Sequence, residues 1–184
     1  MSQFQELVGL PQRFQIYMPL KDGDLMWLSM SLWDFMFMTN NITVFDHLIP
    51  PTDKEFKEIS MFLHKHLEEF GDPRQDIELA MKYALQKDGK PGGMILTSHA
   101  DNTLVGAVVM NKTGMNGYIP ENILVYIATH SGYRGRGIGK QLMSQAIAVS
   151  DGDIALHVEP DNPARKLYES LGFTNKYLEM RLKK

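Results

Sequence analysis

Cysteine is absent from the 184 residues. That excludes disulfides, thiolate metal sites and a cysteine nucleophile, and it suits a reducing compartment. Long hydrophobic runs are also missing. The greasiest stretch, Leu25 to Met38, is interrupted by Ser29, Ser31 and Asp34 and is too short to cross a hydrocarbon layer of about 30 Å. Met1 to Leu10 lacks a basic segment followed by an apolar core, so no secretory signal is expected and the expected location is cytoplasmic. Histidines occur, but none at metal-binding helical spacing: His64 and His66 stand two apart on a predicted helix and face different ways, so no metal is expected.

A chain of this length with 43% hydrophobic residues can bury a substantial core, and it reads as one domain, residues 1–184. Charge is uneven along it. Residues 1–90 carry 14 acids against 9 bases, and residues 91–184 carry 8 against 10. With a net charge of −3 and the bases concentrated at one loop, nucleic-acid binding is not expected, nor is a membrane partner.

Arg13 to Leu20 alternates and predicts a first strand, stopped by Pro19 and the turn Lys21-Asp-Gly-Asp24. Leu25 to Met38 predicts a buried apolar helix whose Trp27, Trp33, Phe35 and Phe37 could also line an acceptor pocket. Thr52 or Asp53 caps a second helix with a face of Phe56, Ile59, Met61, Phe62, Leu63 and Leu67, and Asp72-Pro73 opens a third that runs to about Leu85. From Met94 the period becomes extended. Met94 to Ala100 and Thr103 to Met110 form a hairpin through Asp101-Asn102. A strand Ile123 to Thr129, a helix Gly137 to Val149, a strand Ile154 to Val158, a helix Pro163 to Leu171 and a last strand Tyr177 to Leu182 complete a mixed α/β sheet flanked by helices.

The stretch Tyr133-Arg-Gly-Arg-Gly-Ile-Gly-Lys140 stands at a strand-to-helix turn. Glycines let the backbone take positive φ and approach a ligand, and the first N–H groups of a helix point outward with the positive end of its dipole, so the expected guest is a diphosphate. A dinucleotide fingerprint would need glycine where Lys140 or Leu142 stands, and a mononucleotide loop would need glycine at Arg134 and Ser or Thr at Gln141. Both fail.

What fits is Arg-x-x-Gly-x-Gly, met by Arg134, Gly137 and Gly139, which resembles the acyl-CoA pyrophosphate loop of the GNAT superfamily of N-acyltransferases. A second segment, Asn162-Pro-Ala-Arg-Lys-Leu-Tyr-Glu-Ser-Leu-Gly-Phe173, resembles that family's Asn…Leu-Tyr-x-x-Leu-Gly-Phe signature in the right order. The resemblance implies a GNAT-like, mostly antiparallel sheet with a helical insertion between the first strand and the hairpin. Residues 21–93 would form the acceptor-side region and 94–184 the sheet and CoA-binding region. It further implies transfer of an acetyl group from acetyl-CoA to a primary amine of a small molecule or peptide; a non-catalytic acyl-CoA-binding domain is the alternative. A homodimer is left open.

Carried over residue by residue, the resemblance implies that backbone around Gly135, Arg136, Gly137, Gly139 and Lys140 holds the pyrophosphate, with Arg134, Arg136 and Lys140 supplying charge. Ile127, Ala128 and Thr129 match the strand end that binds pantetheine beside a bulge. Tyr168 matches the tyrosine near the thiol, a candidate general acid, and Asn162 matches a polar cofactor contact that also explains itself as a helix cap; Asp161 could take its place. The family's glutamate base falls near Ile123, which cannot take a proton. Glu121, two residues earlier on the same strand face, is the candidate base, with His130, Glu159, Asp34 or a water relay as alternatives.

Overall fold

The computed structural model describes residues 13–19, 25–31 and 41–182, and the chain divides into two compact units, Met1–Asn40 and Asn41–Lys184. In the first unit Arg13–Pro19 (β1) pairs antiparallel with Leu25–Ser31 (β2), in register from Arg13 opposite Ser31 to Pro19 opposite Leu25. This corrects the helix expected from Leu25. The Asp22-Gly23 pair, a stop for the first strand, is also a hairpin signal, and seven residues of ladder to a β-prone partner outweigh the apolar run's ambiguous period. Trp33, Asp34, Phe35 and Phe37 lie outside the described residues.

The second unit holds a five-stranded sheet in the order β3-β4-β5-β6-β7, built from Asn41–Phe45 (β3), Gly93–Ala100 (β4), Thr103–Lys112 (β5), Asn122–Thr129 (β6) and Ile154–Leu156 (β7). Only the pairing of β6 with β7 is parallel. The helical insertion follows β3, as Asp53–His66 (α1) and Arg74–Ala84 (α2). A capping box starts α1: Thr52 Oγ1 accepts from Glu55 N–H, and the Glu55 carboxylate accepts from Thr52 N–H at 2.7 Å. The hairpin turn is made by Asp101 and Asn102, both at positive φ (47° and 62°), as short polar side chains tolerate.

Ile138–Val149 (α3) and Arg165–Ser170 (α4) complete the unit. One face of the sheet packs Ile59, Leu63, Ile77 and Met81 of α1 and α2 against Ile95, Val109, Tyr126 and Ala128. The other packs Ile138, Leu142 and Met143 of α3 and Tyr168 of α4 against Leu96, Val108, Met110 and Leu124. At Gly106 the sheet has room for α3 because a Cβ there would lie 2.6 Å from Leu142 Cδ1 and 2.9 Å from Ile138 Cγ2. The strand expected over Tyr177 to Leu182 does not form. The segment has no strand partner among the described residues, and Leu178, Met180 and Leu182 are 89%, 93% and 87% exposed. Alternation alone supplies a side-chain pattern, and a strand also needs a neighbouring edge to pair with.

Candidate active site at the β6–β7 cleft

The site begins where two strands part. Asn122, Ile123 and Leu124 pair with Ile154, Ala155 and Leu156, and beyond Leu124 the ladder to β7 stops while β6 stays paired to β5 as far as Thr129. At the same place the register to β5 slips, so that Val109 faces Tyr126 and Met110 faces Leu124, leaving Val125 as the extra residue. Val125 and Tyr126 therefore both turn towards the α1/α2 face, whereas Leu124 and Ile127 turn towards α3. The β7-side edge of β6 over Ile127, Ala128 and Thr129 is left without a strand partner among the described residues, and its outward N–H and C=O groups are open to a ligand.

Five residues past that edge the chain reaches the glycine loop. Gly135 and Gly137 have φ of +77° and +80°, and a Cβ on either would meet nothing within 4 Å, so glycine is required there by backbone conformation and the space above it is clear. Gly137 is the N-cap of α3, whose first internal bond is Gln141 N–H to Gly137 O at 3.0 Å. The N–H groups of Ile138, Gly139 and Lys140 thus have no acceptor inside the helix. Gly139 has a different reason for being small: its Cβ would stand 3.3 Å from Leu167 Cδ2 and 3.6 Å from Thr129 Oγ1, so it lets α3 start tightly between α4 and the end of β6.

The three expected cations divide. The Arg134 guanidinium grips Glu68 with two nitrogens, at 3.0 and 3.2 Å, and donates to the His66 carbonyl at 3.0 Å, which ties the loop to the end of α1. Arg136 lies 4.9 Å from the centre of the Tyr133 ring, and both it and Lys140 are exposed without an ion pair to a carboxylate among the described residues. A second tie runs alongside the first. His66, buried, accepts the Ser131 N–H at Nδ1 (3.4 Å) and stacks at 4.5 Å on His130, whose own Nδ1 accepts the Gly132 N–H at 3.1 Å. Burial, with the positive groups around it, holds the His66 imidazole below its ordinary pKa and therefore neutral.

Tyr168 sits on α4 in the same apolar cluster as Leu124 and Ile127, edge-on to Phe173 with ring centres 5.9 Å apart, and burial pushes its phenol up to about 12. It is thus protonated throughout the neutral range. Asn162 uses Oδ1 to accept the Ala164 N–H at 2.8 Å, a turn ahead of α4, which itself starts only at Arg165. Beside it, Asp161, Asn162, Arg165 and Lys166 line an open cleft of about 390 Å³.

The structure does not bring Glu121 to this site. It stands before the first residue of β6, about 25 Å along the strand from the glycine loop. Its carboxylate accepts N–H groups from Asp153 (2.7 Å) and Gly117 (3.2 Å), and these hold it below the usual carboxylate range, the wrong direction for a base. Glu159 is exposed after β7, and Asp34 lies outside the described residues. What sequence reasoning missed lies across the sheet: the Tyr126 hydroxyl donates to Asp72 Oδ2 at 2.7 Å, joining the bulged strand to the α1–α2 connection. Fifty-four residues separate the pair, and no local pattern announces it.

A parallel strand pair that opens over a strand-to-helix glycine loop, with helices on both faces, is the architecture of an acyl-CoA-dependent transferase domain. A sequence profile of the Acetyltransferase (GNAT) family matches residues 57–173, well over half of the chain, and the chain belongs to that family. Solved structures share the fold. One is the aminoglycoside acetyltransferase AAC(6')-Iy in complex with the bisubstrate analogue CoA-S-monomethyl-acetylneamine (18% identity, TM-score 0.56, 78% of this chain and 97% of that one). Another is the aminoglycoside 6'-N-acetyltransferase AAC(6')-IG from Acinetobacter haemolyticus (17%, 0.57, 78% and 97%). A third is the ribosomal-protein-alanine N-acetyltransferase from Brucella melitensis biovar Abortus 2308 (20%, 0.52, 78% and 97%). Among the described residues no helix is long and apolar enough to cross a membrane.

Proposed function

We propose that this chain transfers an acetyl group from acetyl-CoA to a primary amine of a small molecule or peptide, by direct attack with both substrates bound. The observation that carries this reading is the parting of β6 from β7 at Leu124, ten residues ahead of Arg134 in the glycine loop. It offers one ligand an open strand edge and a helix N-terminus in line, which suits a long molecule with a diphosphate at one end.

The residues present fit that donor. The N–H groups of Ile138, Gly139 and Lys140, with Arg136 and Lys140, would hold the diphosphate; Arg134, committed to Glu68, acts on the loop's position. The open edge at Ile127 to Thr129 would hold the pantetheine arm, and an N–H there aimed at the thioester oxygen would be worth several kcal/mol of barrier in a site closed to water. The donor supplies an activated acyl carbon. An ammonium loses one proton to solvent water; its nitrogen then forms the C–N bond as the C–S bond breaks, and a second nitrogen proton is released as Tyr168 protonates the thiolate and is itself reprotonated.

The acidic first half of the chain favours a cationic acceptor, and its lack of cysteine suits a cytoplasmic setting. The experiment is an amine screen with acetyl-CoA, read by release of the free thiol and by the mass of the acetylated product. Amine-dependent thiol release supports the reading. Thiol release equal with and without amine, from a protein that binds acetyl-CoA, contradicts it.

A further inference from the structure

We propose that Asp72, braced by Tyr126, is the carboxylate that receives the acceptor's ammonium group. The inference rests on the transferase reading and assigns the acceptor side of that same site. Three observations carry it.

First, the two sides of the cleft are chemically different. Tyr168, Leu124 and Ile127 belong to the apolar layer under α3 and α4, whereas the bulge at Val125 turns Tyr126 to the opposite face. A donor lying along the edge of β6 would therefore have a protonated phenol on one side and the Tyr126–Asp72 pair on the other. Direct transfer needs that division, because the amine and the leaving thiol must not compete for one place.

Second, the Tyr126 hydroxyl occupies only one oxygen of Asp72. It donates to Oδ2 at 2.7 Å, while Oδ1 has no hydrogen bond among the described residues and the residue is exposed. The bond fixes the direction of a carboxylate that would otherwise swing in the connection between α1 and α2. An ordered carboxylate with a free oxygen is what an ammonium donor can use at little further entropic cost.

Third, the charge around it has the right sign. Burial first, then the Asp72 hydrogen bond and the charges of Asp72 and Asp76, hold the Tyr126 phenol above its ordinary pKa, and both carboxylates place negative charge beside this stretch of β6. Arg181, near enough to Asp72 to feel its charge, is paired with Glu179. Tyr126 is a positioning residue here, and Asp72 is the group that touches the substrate.

The test compares Asp72→Asn, which keeps an oxygen for Tyr126 and removes the charge, with Tyr126→Phe, which keeps the charge and removes the brace. Probes are cadaverine, spermidine, an aminoglycoside and a peptide with a free N-terminus as alkylammonium acceptors, and aniline as an amine neutral at the assay pH. For Asp72→Asn the KM of alkylammonium acceptors is expected to rise at least tenfold, with aniline turnover and acetyl-CoA affinity within twofold of wild type. Tyr126→Phe should raise the same KM two- to fivefold. An unchanged alkylammonium KM in Asp72→Asn overturns the inference, as does equal loss on aniline, which would mark a purely structural bond. A wild type that binds acetyl-CoA and acetylates none of the alkylammonium probes also overturns it. Failure of wild type to bind acetyl-CoA at all is a separate result, which removes the transferase reading beneath it.

Discussion

Arg134 sets two nitrogens on the two carboxylate oxygens of Glu68, at 3.0 and 3.2 Å, and so spends the motif's first charge on the end of α1. Both side chains are nearly half exposed, so the pair stabilises the fold by less than about 1 kcal/mol. Its larger effect is on the anion site next to it. Glu68→Gln should leave thermal stability nearly unchanged and tighten acetyl-CoA binding two- to fivefold at low salt, the gain fading as salt is added. Weaker binding, measured by calorimetric titration, would show that the clamp's positioning of the loop outweighs the positive charge it withholds from the anion.

Two glycines should fail for different reasons. Gly135→Ala puts a Cβ into clear space and costs only the strain of φ +77°, about 1 kcal/mol. Gly106→Ala has no such strain but drives a Cβ into Leu142 and Ile138, and overpacking of that kind costs about 1–3 kcal/mol. Denaturant unfolding of both variants checks the order, and a Gly135→Ala more damaging than Gly106→Ala would refute it.

His66 makes stability depend on acid. Its folded pKa lies below 6.5, so the unfolded chain binds the proton first; stability is complete above about pH 6.5 and falls as the pH drops towards the folded value. Unfolding free energy followed from pH 7.5 to 5 should decline in wild type and decline less in His66→Gln. Parallel curves would remove the assignment.

Tyr168 acts at the other end of the scale. Its phenol is raised from 10.0 to about 12, so it stays protonated while an unfolded chain ionises, and the stability it confers is lost as pH rises from about 10 to 12. Between pH 8 and 10 its own ionisation should not lower turnover. Tyr168→Phe should reduce kcat at least tenfold with acetyl-CoA affinity within twofold; a kcat unchanged from wild type would remove Tyr168 as the general acid.

How far the chain could be read from its residues followed the range of the interactions. The glycine loop, the helix cap at Thr52 and the Asp101-Asn102 turn are each decided within a few residues, and each stands where periodicity and turn chemistry put it. Leu25–Ser31 departs from its expected helix because a short apolar run fits either period until a partner strand is known. Tyr177 to Leu182 departs from its expected strand for the converse reason, an alternating pattern with no edge beside it among the described residues. In the site, the loop's conformation was legible, but the partners of its side chains were not. Glu68 lies 66 residues from Arg134, Asp72 lies 54 from Tyr126, and Glu121 is held by the Gly117 and Asp153 N–H groups that only the folded loops bring near.

Binding of acetyl-CoA at the glycine loop is tested by thermal unfolding with acetyl-CoA, CoA, ATP and NAD in parallel, on wild type and on Gly137→Asp. A ligand at 100 times its dissociation constant adds about 2.7 kcal/mol, a shift of several degrees in a chain of this size. Stabilisation of wild type by acetyl-CoA and CoA alone, with a folded Gly137→Asp that does not respond, is the predicted result. No shift with either CoA ligand, or an equal shift with ATP or NAD, would remove the glycine loop as an acyl-CoA site.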